Sequence, residues 1–252
     1  MNQSVIIENC KIIIGMYTQG MFGDYAPTET IAPAFNSSEE RLRYYTLPMA
    51  LNYRRPSLQL WTAAKKTFED IDTRDCFDIH SVAVLPIDSA DLGRALSKYK
   101  LSMQPSRHPV IWSKIATVID TEWGSIENLF ESVNYDFLKL RELVQITYKK
   151  QFPYLSGPKL FNFWCYILGV YCAVDFKNKA HIDIAVDSHI RRASKVLGLI
   201  SEKEQDSFDA NAIANRWRTL LVDSDIAPVD LNVPLWFWSR AGFLGLDNFR
   251  QA

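Results

Sequence analysis

Apolar residues recur along most of the chain at the three- and four-residue spacing of an amphipathic helix. After Pro56-Ser57 the segment LQLWTAAKKTF carries this pattern, with apolar positions at Leu58, Leu60, Trp61, Ala64 and Phe68. The same spacing predicts helices over Ser89–Tyr99, Pro109–Ile119, Ser125–Val133 and Tyr135–Lys150. Between Asp72 and Pro86, the short apolar run SVAVLP is compatible with a strand, but its length does not decide between strand and helix.

Residues typical of helix starts support the helical pattern. Ser37-Ser38-Glu39-Glu40 and the segment from Ser201 to Glu204 have the order of capping boxes. Pro158 opens KLFNFWCYILGVYCAV, which is apolar on almost every side and is therefore expected in the core. Asp187-Ser188 starts SHIRRASKVLGL, while ANAIANRWRTLL and the segment LWFWSRAGF after Pro234 add two more helices. The sequence thus predicts an all-α fold.

Composition narrows the class of protein. The chain has 252 residues, 48% of them hydrophobic, which suits one large domain or two small lobes around a substantial core. Lys and Arg total 28 against 29 Asp and Glu, so a net charge of −1 excludes attraction to nucleic acid or membrane through bulk charge. A nucleic acid or a membrane would therefore have to bind through a local patch of positive charge. The 10 Gly and 11 Pro argue against disorder and against a turn-rich all-β fold.

The N-terminus and the cysteines point to an ordinary cytoplasmic protein. The opening MNQSVIIENCKIIIGMY has an acidic residue inside its apolar stretch and no basic lead, unlike a signal peptide or membrane span. The four cysteines lack the paired spacings of a zinc site or iron–sulfur cluster, so reduced structural thiols and no metal or redox cofactor are expected. They are Cys10, Cys76, Cys165 and Cys172.

Charge is unevenly distributed along the chain. From Asp136 to Lys195 there are ten Lys or Arg and five Asp or Glu, a balance of +5, whereas the remainder has 18 against 24 and a balance of −6. A solvated helix face explains such a run without any function. The alternative is a local anion-binding surface, and the residues inside the basic segment bear on that choice.

Two short patterns within the basic segment stand at the starts of predicted helices. The first is the tight turn Leu155-Ser156-Gly157-Pro158-Lys159, followed by Asn162, and the second is Val186-Asp187-Ser188-His189 before a basic helix. This layout resembles the helix–hairpin–helix DNA glycosylase superfamily, whose endonuclease III-like members have a hairpin like LPGVGRKTAN and an aspartate motif like VDTH. The second match is the more specific, because an apolar residue, Asp, a hydroxyl residue and His coincide.

The chemistry that the resemblance implies requires an amine and a carboxylate. Breaking an N-glycosidic bond develops positive charge on the sugar, which a carboxylate stabilises, and an amine attacking the anomeric carbon gives a Schiff base. Lys159 is the candidate amine and Asp187 the candidate carboxylate. Because apolar Leu160 and Phe161 follow Lys159, desolvation is expected to disfavour its charged form. The alternative is that Lys159 merely begins a helix and Asp187 merely caps one.

The separation of 28 positions between Lys159 and Asp187 resembles the archaeal 8-oxoguanine DNA glycosylases, in which the connection after the lysine helix is long. Phe163 follows the lysine by four residues as in that branch; LNYRRPSLQLW places Trp61 and PLWFWSR places Trp236. The resemblance implies a flipped purine stacked on Trp61 and Phe163, with Trp236 closing the pocket or donating its indole N–H. Core packing is the alternative for each of these aromatics.

The chain departs from the family at several positions. Asn232 stands where an aspartate that reads the purine edge is expected, and because an amide can both donate and accept, Asn232 is expected to bind that edge in an altered form. The hairpin is short and lacks its second glycine. Fewer backbone N–H groups are therefore expected beside Gly157 to bind a DNA phosphate. No counterpart is found for a base-contacting glutamine near the N-terminus. Contacts with the DNA backbone are therefore expected to come largely from Lys149, Lys150, His189, Arg191, Arg192 and Lys195.

The resemblance implies a bifunctional DNA glycosylase and AP lyase that removes 8-oxoguanine from damaged double-stranded, or single-stranded, DNA. We expect a monomer in the cytoplasm, associated with the nucleoid in a prokaryote. The expected fold has a central lobe, 56–180, and a terminal lobe, 1–55 with 181–252. The cleft between these lobes is expected to contain Lys159 and Asp187. Two alternatives stay open: a non-catalytic helix–hairpin–helix protein that binds DNA or a protein, and a monofunctional glycosylase in which Asp187 activates water.

Overall fold

The computed structural model describes residues 3–23, 27–52, 55–207 and 209–245. All regular elements in these ranges are helical, and β-pairing there is confined to one isolated bridge between Asp136 and Lys177, which confirms the all-α prediction. Over the same ranges no helix is both long enough and apolar enough to cross a membrane. Tyr53 and Arg54, part of the stretch that resembles the glycosylases, lie outside the described residues.

The described α-helices follow one another in this order: α1 Gln3–Thr18, α2 Ser38–Ala50, α3 Ser57–Glu69, α4 Ile79–Ala83, α5 Ala90–Lys98, α6 His108–Glu122, α7 Ile126–Ser132, α8 Phe137–Glu142, α9 Pro158–Tyr171, α10 Ser188–Val196, α11 Glu202–Ser207, α12 Ala210–Leu221 and α13 Asn232–Arg240. A single π-turn, Leu143–Thr147, continues α8. Short 3-10 helices at Thr28–Thr30, Arg74–Phe77, Lys179–His181 and Pro228–Leu231 join some of them.

The chain divides into two compact units, which we call the terminal unit, 1–27 with 178–252, and the central unit, 28–177. The expected division placed 28–55 with the chain ends and 178–180 in the central lobe. Residues 28–55 belong to the central unit instead because α2 packs against α3, α7 and α9. The apolar periodicity of α2 does not reveal which helices it will cover.

The terminal unit is built around α1, α10, α12 and α13. Its core contains two fully buried tryptophans, Trp217 and Trp238. The indole N–H of Trp217 donates to the Ser194 hydroxyl at 2.9 Å, and that hydroxyl donates to the Ile190 carbonyl at 2.7 Å. These bonds satisfy the buried indole N–H of Trp217 and the hydroxyl of Ser194, and they fix α10 against α12.

The central unit has an aromatic core on α2 and α3. Tyr44 contacts the rings of Trp61, Phe68 and Phe77 at centroid distances between 5.4 and 6.1 Å. Helix α9 closes this core, because the buried Trp164 indole donates to the Thr46 hydroxyl of α2 at 3.0 Å. Packing inside the unit explains the buried face of α9, whereas the apolar Phe163 and Val170 on its other side are half-buried and exposed, respectively.

Most helix starts agree with the capping residues in the sequence. The Ser37 hydroxyl accepts from the Glu40 N–H, but the Glu40 carboxylate accepts from the Asn36 N–H instead of completing the box at Ser37. Ser201 and Glu204 form the full reciprocal pair. Glu204 also binds Arg216, which ties α11 to α12.

Three elements differ from their predicted form. The SVAVLP region contains the short helix α4 rather than a strand, because the Asp78 carboxylate caps it by accepting from the N–H groups of His80 and Ser81. Helix α8 ends at Glu142, since the Tyr148 N–H bonds to the Leu143 carbonyl in a wider π-turn. Helix α13 begins before Pro234, which its first turn tolerates.

Candidate functional site

Asp187 caps the start of α10 from an extended backbone conformation. Its Oδ1 accepts from the N–H groups of His189 at 2.8 Å and Ile190 at 2.9 Å. Among the described residues no donor bonds to Oδ2, and the side chain is half-buried. One carboxylate oxygen is therefore fixed by the start of the helix, and the other has no hydrogen-bond donor among the described residues.

Other aspartates cap helices in the same way, so capping does not distinguish Asp187. Asp209 starts α12 with its Oδ1 on two backbone N–H groups, and Asp78 caps α4 while its Oδ2 binds Arg43. What sets Asp187 apart is the pair of side chains beside its helix start. The ring of His189 lies against the indole of Trp236, with centroids 4.9 Å apart.

His189 is the centre of a basic and aromatic cluster. Its Nδ1 accepts from Arg192 at 2.9 Å and lies 3.3 Å from the Ser239 hydroxyl, so the neutral ring carries its proton on Nε2. Burial lowers the pKa of His189; the charge of Asp187 opposes this, and those of Arg192 and Arg240 reinforce it. Two arginines and a ring N–H next to the half-buried Trp236 give this surface the chemistry of an anion site.

Trp236 and its neighbours on α13 form one face of the cluster. Ser239 and Arg240 follow Trp236 by three and four residues, the spacing that places side chains on one side of a helix. The guanidinium of Arg240 lies 5.2 Å from the centroid of the Trp236 indole. Neither Ser239 nor Arg240 was among the predicted site residues, although the spacing within WFWSR is the signal that identifies them.

Asn232, predicted to read a base edge, is bound to the backbone by its oxygen. Oδ1 accepts from the Ala185 N–H at 2.8 Å, two residues before Asp187. The side chain is 6% exposed. Asn232 therefore fixes the segment that leads to Asp187, and its oxygen is not available to a ligand.

Lys159 is the second residue of α9 and belongs to the central unit. Its side chain is exposed, and within the described part of the chain it forms no ion pair or hydrogen bond. Phe161 is fully buried in the core, where it contacts Phe137, and gives no cover to the amine. The expectation that apolar neighbours desolvate Lys159 is therefore wrong.

Gly157 does not offer its amide to a phosphate. Its N–H donates to the Tyr154 carbonyl at 2.9 Å, closing the turn before α9. A Cβ at Gly157 would come within 3.1 Å of that carbonyl oxygen, so the tight turn accounts for the glycine. The predicted phosphate contact at Gly157 is corrected accordingly.

The predicted stacking residues have different surroundings. Trp61 is fully buried, with its indole 5.3 Å from the ring of Tyr45, so it lines no accessible surface and its predicted stacking role is wrong. Phe163 is half-buried and stacks on Tyr166, with centroids 5.8 Å apart and planes at 12°. Phe163 and Trp236 thus keep exposed ring surface.

The predicted phosphate-binding cations divide into two groups. Lys149 and Lys150 are exposed, and their side chains form no ion pair within the described residues. Lys195, in contrast, binds Glu202 at 2.5 Å, and Arg191 donates to the Gln205 carbonyl at 3.1 Å. Lys195 and Arg191 thus hold α10 against α11. This reduces the positive charge that they can present to a phosphate.

Three other features among the described residues bear on chemistry: the cysteines, the possible metal-ligand groups and a surface cavity. Cys10, Cys76 and Cys165 are buried, Cys172 is half-buried, and all four are free thiols. Within the described ranges, no three His, Cys, Asp or Glu side chains are grouped to hold a metal. A surface cavity of about 360 Å³ in the central unit is lined by Glu127, Tyr135, Asp175 and Lys177 among others, and none of the predicted site residues lines it.

Asp187, His189, Asn232 and Trp236 are brought together in the terminal unit, while Lys159 and Phe163 lie on one helix of the central unit. No family model matches the chain, and neither the comparison with curated proteins nor that with solved structures finds a match. The function must therefore be argued from the residues themselves.

Proposed function

We propose that the protein is a bifunctional DNA glycosylase and AP lyase that removes 8-oxoguanine from double-stranded DNA. It would act as a monomer in the cytoplasm, at the nucleoid in a prokaryote. The observation that carries the proposal is the arrangement at Asp187: α10 fixes one carboxylate oxygen, no described residue donates to the other, and the adjoining His189 contacts Trp236. A carboxylate held by a helix, next to aromatic and cationic groups, suits a reaction that builds positive charge on a sugar beside a phosphate.

In the proposed reaction Asp187 stabilises the cationic deoxyribose through its Oδ2. The neutral Lys159 amine attacks the anomeric carbon, a C–N bond forms, and the base leaves with the electron pair of the N-glycosidic bond. The amine loses a proton, the base gains one, and opening of the sugar ring gives a Schiff base. Loss of a proton from C2′ then expels the 3′-phosphate and cleaves the strand. Lys159 belongs to the central unit and Asp187 to the terminal unit.

The aromatic residues that support base binding are Phe163 and Trp236. Each keeps part of its ring exposed, and stacking a base on one aromatic ring contributes about 1–3 kcal/mol. Extruding the base costs a few kcal/mol, and stacking on one such ring offsets much of that cost. Trp61 takes no part because it is buried in the aromatic core.

The DNA backbone would be bound by basic side chains that are exposed on the surface. Lys149 and Lys150 in the central unit and Arg192 in the terminal unit are exposed. His189 adds an Nε2–H donor beside Arg192. The contact is local, in keeping with a net charge of −1.

A second candidate is a monofunctional glycosylase, in which Asp187 activates water and no Schiff base forms. The exposure of Lys159 favours it, because a solvated amine lacks the desolvation that raises nucleophilicity. In a monofunctional enzyme Lys159 would contact the phosphate backbone and would not attack the sugar.

The experiment is a single-turnover assay on a duplex with one 8-oxoguanine, analysed for free base, for strand cleavage and for a covalent adduct after borohydride reduction. Free base, cleavage and an adduct together support the proposal. Free base without an adduct selects the monofunctional enzyme. Binding without release of base contradicts both and leaves a non-catalytic DNA-binding protein. An undamaged duplex of the same sequence is the control.

A further inference from the structure

The surface cavity of the central unit combines an apolar floor with charged groups at its rim. Leu42 and Phe130, both buried, supply the floor, and the half-buried Tyr135 adds a second aromatic side chain. Its volume of about 360 Å³ is within the range of sites that bind small molecules. No residue with a role in the proposed glycosylase lines the cavity, so its ligand is argued independently of that function.

Backbone pairing holds one side of the cavity. The Lys177 N–H donates to the Tyr135 carbonyl at 2.8 Å, and the Phe137 N–H donates to the Lys177 carbonyl at 3.1 Å. Tyr135 and Ala173, which both line the cavity, have φ angles of 54° and 57°, in the left-handed region that non-glycine residues seldom adopt. Backbone of this kind clusters at ligand sites, and the pairing gives the cavity a defined shape before a ligand binds.

Charged side chains of both signs line the cavity. Within the described ranges neither Asp175 nor Lys177 forms an ion pair or a side-chain hydrogen bond. The carboxylate of Glu127 accepts from the Ser38 hydroxyl at 3.3 Å and has no cationic partner there. The lining thus offers two carboxylates and one ammonium, a charge of −1, to a ligand.

We propose that this cavity binds a free dibasic amino acid such as L-lysine. Glu127 and Asp175 bind its two ammonium groups, Lys177 binds its carboxylate, and the aliphatic stem lies against Leu42 and Phe130. The ligand carries one more positive than negative charge, which complements the lining. A diamine leaves Lys177 without an anion, and an apolar amino acid leaves one carboxylate without a cation, so both are poorer ligands.

Three ligands of matched chain length test this complementarity by isothermal titration calorimetry. L-Lysine should bind with a dissociation constant of about 1 mM or lower. Cadaverine, which lacks the carboxylate, and L-norleucine, which lacks the side-chain amine, should each bind about fivefold more weakly, the value of one exposed ion pair. Absence of L-lysine binding, or equal affinity for the three ligands, would overturn the inference.

Two variants test whether the ligand occupies this cavity. Lys177→Gln should weaken L-lysine binding about fivefold and leave cadaverine binding nearly unchanged, whereas Asp175→Asn should weaken the binding of both. Lys139→Gln and Asp88→Asn are the matched controls, because these side chains are exposed in the central unit and do not line the cavity. Both controls should bind as the unmodified protein does. Unchanged binding by Lys177→Gln and Asp175→Asn would place the ligand elsewhere and contradict the inference.

Cys172 supplies a second measure of occupancy. It lines the cavity and is half-buried, whereas Cys10, Cys76 and Cys165 are buried. L-Lysine at about ten times its dissociation constant should slow the alkylation of Cys172 by iodoacetamide about tenfold, because the free cavity is then rare. L-Norleucine at the same concentration should slow it about threefold. Equal alkylation rates with and without L-lysine, measured by mass spectrometry, would exclude binding in the cavity.

Discussion

The imidazole of His189 packs against the indole of Trp236, with ring centroids 4.9 Å apart and planes inclined by 48°. This contact joins the start of α10 to the exposed face of α13. Because the His189 N–H is also one of the two donors to Asp187, the aromatic surface and the carboxylate are held by the same residue. A side-chain substitution at His189 therefore removes the contact with Trp236 and leaves the backbone N–H that caps Asp187, whereas Asp187→Asn removes the charge and keeps the cap.

Asp187→Asn should fold normally and lose base release by about 100-fold or more. The amide oxygen can still accept from the helix N–H groups, and Asn caps helices as well as Asp, but the charge that stabilises the sugar cation is gone. Asp209→Asn makes the same change at the α12 cap and should keep the full rate. Single-turnover base release measures both variants. Equal rates for the two would make Asp187 a cap and no more.

Trp61→Ala should lower the free energy of unfolding by about 3–5 kcal/mol, because it leaves a cavity in the aromatic core. Excision per folded molecule should not change.

Phe163→Ala, at a half-buried position, should instead weaken excision by about 1–3 kcal/mol, the value of one base stack. Denaturant unfolding and single-turnover excision, measured on both variants, give the two quantities. A loss of excision in folded Trp61→Ala would contradict its placement in the core.

The double variant Lys149→Gln/Lys150→Gln should reduce the salt dependence of DNA binding. Each phosphate contact contributes about 0.9 to the slope of log K against log salt, so the slope should fall by about 2. Lys195→Gln should have a smaller effect, because that lysine already binds Glu202. Fluorescence anisotropy across a salt series measures the slopes. A larger change for Lys195→Gln would show that the Glu202 pair opens on DNA.

The protein should lose stability as the pH falls from about 6.5 to about 4, through His108. Burial, and secondarily the charge of Arg55, lowers the pKa of His108 from 6.5 to about 4. The neutral ring accepts the Met103 N–H at Nδ1, so protonation disrupts that bond and charges a fully buried group. The folded state binds the proton more weakly than the unfolded state, which costs about 3 kcal/mol across this range.

His108→Gln removes this titration and should show a flatter dependence of the free energy of unfolding on pH between 7 and 4. Denaturant titrations at several pH values measure it. Parallel curves for the variant and the unmodified protein would exclude His108 as the group responsible.

The elements that local sequence specifies were predicted well. The limits of α5 and α7, for example, follow from their capping serines, Ser89 and Ser125. The π-turn after α8 was missed, because an apolar spacing of three and four residues fits one turn of either helix type. The membership of 28–55 was missed because it depends on which helices α2 covers.

The candidate site was predicted in part. That Asp187 starts a helix was predicted from its place before a basic segment, and the cap geometry confirms that part. The burial of Trp61 and the exposure of Lys159 were not predictable, since both depend on packing between helices distant in sequence. The hydrogen bond that the Asn232 oxygen accepts could not be predicted either, because its donor is the backbone N–H of Ala185, 47 residues earlier.

The central claim is that Lys159 forms the Schiff base, and the most direct measurement is the identity of the residue trapped by borohydride on an 8-oxoguanine duplex. Proteolysis and mass spectrometry of the adduct should find the modification on Lys159. Lys159→Gln should lose the adduct while binding DNA within a few-fold of the unmodified protein, and Lys114→Gln, which removes another exposed lysine of the central unit, should retain it. An adduct on a different amine, or one that persists in Lys159→Gln, would contradict the account.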